Sequence, residues 1–428
     1  MITPDKQKNA LILMKGKNFE SKEKEVKIDQ DIIFAKENVN TGRQPEVDYL
    51  KTLGVFTIAV YHVYLGFSQG YLMMPLKNLC VILTAGCLMF LMGIGMKYSR
   101  HHEIKDYICR GFLLLTLGQF LYLIRDTLPN LIGWWITGNK RFIARALLVF
   151  QSDILTFSGF AHFFLVILKK MKLSDFSILI IGLIMNFISY PLFRIMKSPS
   201  NYILSQLLAY FVLTDAEAYF PLIGYFVYVA FGYWLGGFYQ RLSNKDKFYN
   251  RILIFLLPIV AIYHYIRSYY DIPLHPELYS VEHYCLSPGL DSIVRCMASL
   301  VFLAGFYKLD KILGKTPYFV WHCGKNLNQY YIISFVLTTH IYTFLNITRG
   351  EKFTEDFKYS DLLAFMILFS CRIIIDMNDN YIHFGIITLK NQKRNIVFAL
   401  IWIISIISLI YIYPKVEIYA NIWNGYLY

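Results

Sequence analysis

Arg43-Gln44-Pro45-Glu46-Val47-Asp48-Tyr49-Leu50-Lys51, followed directly by Thr52-Leu53-Gly54-Val55-Phe56-Thr57-Ile58-Ala59-Val60-Tyr61-His62, is the stretch on which the reading of this chain turns. It opens charged and ends on one histidine inside an apolar run. No charged side chain lies between Lys51 and His62. The run begins a segment long enough to cross a bilayer, where an ionisable group is costly and needs a reason. With a helix starting near Asp48, His62 lies about 14 residues on, roughly 21 Å along the axis and past mid-membrane. It is then either a base facing a cavity or a neutral polar residue hydrogen-bonded to a neighbouring helix.

The rest of the chain supplies the membrane that this reading requires. Of its 428 residues, 56% are hydrophobic and 17% aromatic, and the mean hydropathy is +0.43. Those values belong to a polytopic membrane protein rather than to soluble domains. Apolar runs begin near 49, 77, 107, 150, 174, 219, 250, 289, 327, 361 and 395. Backbone in lipid must satisfy its own hydrogen bonds, and the runs lack the residue-by-residue alternation of a membrane barrel, so helices are expected. The expectation is an all-α, polytopic transmembrane bundle of about 10–11 spans. Residues 1–47 form a cytoplasmic amino-terminal tail and residues 48–428 the integral membrane domain.

A net charge of +13 invites a nucleic-acid partner. The basic residues instead cluster in alternate short loops, as the positive-inside rule expects. These clusters are Lys97, Arg100, Lys105 and Arg110; Lys169, Lys170 and Lys172; Arg241, Lys245, Lys247 and Arg251; Lys308, Lys311 and Lys315; and Lys390, Lys393 and Arg394. The partner they imply is the bilayer, with the amino terminus in the cytoplasm and no nucleic acid; a bacterial cell membrane fits. The opposite loops, 126–149, 193–218, 267–288 and 347–360, are longer and mixed in sign, more a working surface than an anchor. Within them, 131–149 and 202–213 read as short helices that lie in the interface or dip back into the bundle. The seven cysteines contain no CxxC pair, which removes a zinc site and a disulfide framework and leaves thiols that fill helix packing.

The order of Arg43, Asp48-Tyr49-Leu50-Lys51 and an aliphatic helix ending in His62 resembles the start of the membrane-bound acyltransferase superfamily. That superfamily includes acyltransferase family 3 and the heparan-alpha-glucosaminide N-acetyltransferase-like proteins; its members open with an arginine, a D-x-L-R/K element and a first helix ending in a catalytic histidine. Phe90-Leu91-Met92-Gly93-Ile94-Gly95 is similar to their F-x-x-S-G-type helix, where Gly93 would permit close helix contact. Asp153-Ile154-Leu155-Thr156-Phe157-Ser158-Gly159-Phe160 resembles their D-I-L-x-x-x-G element, and Phe220-Pro221 through Gly232 and Gly236 a later F-P helix. Gly324-Lys325-Asn326-Leu327-Asn328-Gln329-Tyr330-Tyr331 is similar to a G-K-N-S-x-x-I-Y element. The likeness runs from about residue 43 to 345.

The resemblance implies transfer of an acyl group, most often acetyl, from acetyl-coenzyme A on the cytoplasmic side to a hydroxyl or amine of an extracytoplasmic glycan or glycolipid. His62 would be the base or transient acyl carrier, and no metal is needed. Asp153 either orients His62 or caps its own helix. The family holds the nucleotide end of its donor with a pair of arginines by the third helix; here Lys97, Arg100, Lys105 and Arg110 lie around that place without an R-x-x-R spacing, Lys97, Arg100 and Arg110 with Arg43 are the residues expected to bind the donor, and the plain alternative for the loop is topology. On the outer side, the loop containing His283 has the acids, histidines and tyrosines of a sugar-binding surface and also those of an ordinary exposed loop. Asp291 and Arg295 stand four apart, as do Arg372 and Asp376, so each pair can close on itself or line a polar path to substrate. Gln119, His162 and Asn186 read as helix-to-helix hydrogen bonds. A rival from another class is a transporter or flippase for a lipid-linked sugar or small solute, with the charged pairs along its path and His62 relaying protons. No phosphate-binding glycine loop, HExxH or G-x-S-x-G element occurs.

Overall fold

A chain dissolved in lipid has helices as its only open solution, and a helix occupies each of the eleven apolar runs. The computed structural model describes residues 33–67, 79, 85–100, 103–146, 153–195, 202–212, 220–269, 289–382 and 391–417. In chain order the spans and their satellites are α1 (Pro45–Gly66), α2 (Ala85–Tyr98), α3 (Ile104–Tyr122), a π-helical turn (Leu123–Thr127), α4 (Leu128–Thr137) and the short α5 (Lys140–Ala146). Next come α6 (Ile154–Lys170), α7 (Asp175–Ile195), the short α8 (Tyr202–Ala209), α9 (Leu222–Gln240), α10 (Lys245–Tyr269) and α11 (Leu290–Leu313). The chain ends with α12 (Tyr318–Lys325), α13 (Leu327–Arg349), α14 (Glu351–Glu355), α15 (Ser360–Met377) and α16 (Asn391–Glu417). Among the described residues, 7 helices are long and apolar enough to cross a membrane, which fits an integral membrane protein in a lipid bilayer.

Side-chain contacts sort the helix ends into two sets. Lys97 binds Asp175 at 2.5 Å, the Gln240 amide donates to the Lys97 carbonyl, Asn40 meets Tyr98, and Lys308 and Lys311 bind Asp246. The basic clusters at 97–110, 169–172, 241–251 and 308–315 therefore gather at one end of the bundle, as their spacing along the chain requires. Residues before α1 join the same end, where Phe34 and Leu242 form an antiparallel bridge. At the opposite end the Tyr64 hydroxyl donates to Asp361, and Arg145 reaches Tyr342 beside Gly66.

The bundle closes most tightly where α9 crosses α2. A Cβ on Gly93 would stand 2.2 Å from the Val229 carbonyl oxygen, and one on Gly232 would stand 2.0 Å from that of Phe90. Two backbones in contact leave no room for side chains, and in lipid that close packing supplies the association. Gly93 thus has the role expected for it. On the far side α7 packs against α9, and Asn186 ties α7 to α9 and α11 by donating to the Gly224 carbonyl at 2.6 Å and meeting the Ser292 hydroxyl at 3.1 Å.

One span departs from its expected length. The run that the sequence ends at 126, ahead of a charged outer loop, continues as helix to Thr137, giving an apolar rod of 34 residues. Pro129 has no amide hydrogen for the ladder one turn back, which loosens the helix without ending it. The chain takes up the slack as the π-turn, and the side chain of His340 on α13 donates to the freed Ile124 carbonyl at 2.8 Å. Of segment 131–149, residues 131–146 are accordingly the end of this rod plus α5, and 202–213 holds the expected short helix as α8.

Candidate functional site

The π-turn sets the interior site. A single extra residue in a helical turn rotates the residues beyond it, and π-turns recur at functional positions for that reason. Here it carries Arg125 and Asp126 into the bundle, both 8% exposed. Arg125 grips its neighbour through Nε at 2.6 Å and Nη2 at 2.5 Å, both on Asp126 Oδ2. Its guanidinium lies over Tyr122 at 4.6 Å and over Phe335 at 4.8 Å. His62 packs on the same Phe335 ring, with centroids 3.7 Å apart, so α1 and the π-turn meet across one side chain of α13. The Arg125 charge acts directly on the imidazole.

Asp153 completes the group. Its Oδ1 accepts the Thr156 amide at 2.8 Å and caps α6. Oδ2 lies toward the Tyr331 hydroxyl without an aligned hydrogen bond, and Tyr122 and Arg125 feel its charge. Asp153 and His62 belong to one electrostatic network joined through Arg125, and no hydrogen bond links the two directly. The capping alternative is realised, and any influence on His62 passes through the arginine.

This network is under-satisfied. His62 Nδ1, Gln119 Oε1, Tyr122 Oη and Asp153 Oδ2 are enclosed without an aligned hydrogen bond, with the Ile58 carbonyl beside His62, Tyr210 beside Gln119 and Tyr331 beside Asp153. Each buried polar atom left so costs about 1–3 kcal/mol, and several together in one place call for an explanation that packing does not give. His62 as a whole keeps some accessible surface while its Nδ1 is enclosed.

At the basic end, the resemblance motifs converge. Arg43 Nε binds Asp48 Oδ2 at 2.5 Å, and its Nη2 donates to the Trp321 carbonyl at 2.8 Å while the guanidinium covers the Trp321 ring at 5.1 Å. A Cβ on Gly324 would meet Asp48 Oδ1 at 2.4 Å. The Asp48 element and the Gly324 element, far apart in sequence, therefore form one unit in which glycine is required for close approach. Lys51 lies just inside it and interacts with Asp48, Arg43, Arg110 and Cys323. The four basic residues expected at the donor's nucleotide end thus split: the charges of Arg43 and Arg110 act on Lys51, Lys97 pairs with Asp175 elsewhere at this end, and Arg100 is exposed at the end of α2.

The expected outer residues behave differently. Asp291, 1% exposed, is held by Arg295 at 2.8 Å and by Arg267 at 2.8 Å, and the Tyr263 hydroxyl donates to it at 3.3 Å. His283 lies outside the described residues. Arg372 and Asp376 also pair, at 3.5 Å, and Asp376 takes His322 Nε2 at 3.1 Å. His322 Nδ1 meets the Tyr330 hydroxyl at 3.0 Å, and burial pushes this imidazole below its usual range against the pull of Asp376. His162 bonds within its own helix, to the Ser158 carbonyl at 2.7 Å, rather than between helices.

Sequence reasoning missed Arg125, Asp126, Tyr122, Tyr331 and Phe335. A signal existed for the first two: Arg125-Asp126 is followed by the apolar Leu128-Pro129-Asn130-Leu131-Ile132-Gly133-Trp134-Trp135-Ile136, so the charges interrupt a run instead of ending it. Neither a family model nor a curated protein nor a solved structure matches the chain, and the acyltransferase likeness rests on its own motifs.

Proposed function

We propose that the chain is a membrane acyltransferase that moves an acyl group, acetyl in the first instance, from acyl-coenzyme A at the basic end onto a hydroxyl or amine of an extracytoplasmic glycan or glycolipid. The observation that carries this reading is the pairing of His62, whose Nδ1 has no aligned hydrogen bond, with the Arg125 guanidinium across Phe335 in the bundle interior. A neutral imidazole offers one lone pair. It takes the proton of the acceptor hydroxyl as that oxygen attacks the thioester carbonyl. The tetrahedral oxyanion develops near Arg125, a fixed positive group in a low-dielectric site. The carbon–sulfur bond then breaks, and the imidazolium returns the proton to the departing thiolate, leaving ester and free thiol.

The donor's approach is supported by Lys51, Arg43 and Arg110 around the inner end of α1. Lys51 precedes His62 by about 16 Å of helix rise, a span that an extended thioester arm covers while its phosphates stay with the cations. The transport alternative draws less support, because Asp291 is held by Arg267 and Arg295, and Asp376 by Arg372 and the His322 imidazole.

The test is purified chain in nanodiscs with radiolabelled acetyl-coenzyme A and a carbohydrate acceptor extract. Transfer by the wild type and its loss in His62→Ala, with an unchanged unfolding midpoint, is expected. Full turnover in folded His62→Ala overturns the role of His62; absence of any thermal stabilisation by millimolar coenzyme A removes this donor. Mass spectrometry of surface glycans with and without the protein identifies the acceptor by the mass of one acyl group.

A further inference from the structure

A cavity of about 480 Å³ opens at the basic end, lined by Lys97, Lys169, Lys172, Asp175, Tyr233 and Gln240 among others. It is built by the inner ends of α2 and α9 and by the α6–α7 turn. Lys97 binds Asp175 at 2.5 Å and lies over the Tyr233 ring at 4.7 Å. Lys169 lies over the Tyr107 ring at 4.4 Å, and the Lys97 and Lys169 charges repel each other. Three lysines and one acidic residue line it.

The third lysine is the informative one. Lys172 adopts φ +57°, the left-handed region that favours glycine. The Lys172 amide donates to the Lys169 carbonyl at 2.9 Å and the Leu173 amide to Leu168 at 3.3 Å, a helix end whose left-handed position ordinarily holds glycine. The chain uses glycine for left-handed turns elsewhere, at Gly138 and Gly314 (φ +67° and +66°). Among the described residues Lys172 is the only other type with positive φ. A side chain in that conformation is strained, because its Cβ crowds the following carbonyl oxygen. Persistent strain of this kind points to function when the side chain it presents reaches a cavity.

We propose that this cavity binds a phosphomonoester dianion, gripped by Lys97, Lys169 and Lys172. A phosphomonoester carries roughly −1.5 to −2 charge at pH 7 and presents three strong acceptor oxygens. That matches three donors whose net excess is positive, and it relieves the repulsion between Lys97 and Lys169. The phosphate belongs either to a soluble metabolite or to a lipid headgroup, since the cavity sits at the end of the spans. The site is independent of the acyl-transfer reading: it lacks Lys51 and His62, and His62→Ala leaves it intact.

The experiment uses the full chain. In detergent, thermal unfolding is followed against glycerol 3-phosphate with chloride at matched ionic strength as control. In nanodiscs, phosphatidylcholine alone is compared with phosphatidylcholine containing phosphatidic acid, which presents the same headgroup. A saturable rise in midpoint with either probe is expected, and the probe that produces it names the source. Lys172→Gly should unfold no earlier than wild type without ligand, because its strain is relieved, yet bind about tenfold more weakly. Lys97→Gln should weaken binding likewise. No saturable response to either probe, or equal affinity in Lys172→Gly, overturns the proposal.

Discussion

Glu46 and His62 stand on the same helix and receive opposite treatment. Glu46, 1% exposed, accepts hydrogen bonds from Lys245 at 2.8 Å, from the Tyr249 hydroxyl at 3.0 Å and from Tyr239. Every part of that knot has a partner, and it ties the start of α1 to α9 and α10. Around His62, four enclosed polar atoms have no aligned hydrogen bond. Both places bury charge at some energetic cost and pair it, Lys245 with Glu46 and Arg125 with Asp126, but only the first also bonds the neutral polar groups around it. The difference separates a polar group that holds the fold from one that is held ready by it.

The largest expected effect breaks the comparison at its strained end. His62→Ala should lower acyl transfer at least about 10³-fold, roughly 4 kcal/mol of transition-state stabilisation, while the unfolding midpoint stays within about 2 °C. A midpoint drop that accounts for the lost activity would make His62 another Glu46. The reciprocal change comes next. Glu46→Ala removes the shared acceptor, leaving Lys245 on Gln44 and the hydroxyls of Tyr239 and Tyr249 on each other, and should cost about 3 kcal/mol of stability, with transfer per folded molecule within about threefold. A stable Glu46→Ala that no longer turns over would assign the knot to function.

The parts of the fold that were legible in the sequence are those its solvent dictates. Lipid forces helices, so hydropathy located a helix in every apolar run, and the basic loops at 97–110, 169–172, 241–251 and 308–315 told which ends belong together. Gly93 was readable because close contact is the main use of glycine in such a bundle. Arg125 and Asp126 were not, because a charged doublet ahead of Pro129 looks like the end of a span. Only three-dimensional packing reveals that the helix continues through a π-turn. Glu46 was hidden for the opposite reason: it sits among charged residues where another acid attracts no notice. The convergence of Asp48 with Gly324 likewise needs the fold, since nothing in either segment names the other.

A smaller effect sharpens the role of Arg125. Arg125→Gln should reduce kcat by about 10²-fold, the usual size for a lost oxyanion donor. It also leaves Asp126 buried without its cation, so stability falls as well. The double variant Arg125→Gln/Asp126→Asn removes the stranded carboxylate and should restore the midpoint without restoring kcat. Recovery of both would mean that Arg125 acts only by neutralising its neighbour.

The smallest effects come from one chemical change made twice. Tyr249→Phe removes a hydroxyl that donates to Glu46, and a hydrogen bond to a charged group is worth about 1.5–3 kcal/mol; the midpoint should fall accordingly while kcat holds. Tyr122→Phe removes a hydroxyl that is fully buried and unpartnered, so the protein loses a desolvated group and no bond. Its midpoint should stay or rise slightly. If the Tyr122 hydroxyl waits for the acceptor or the donor beside Arg125, kcat should nevertheless drop severalfold. Equal stability losses for the two substitutions would mean that the interior hydroxyl has a structural partner after all, and the contrast between Glu46 and His62 would lose its physical basis.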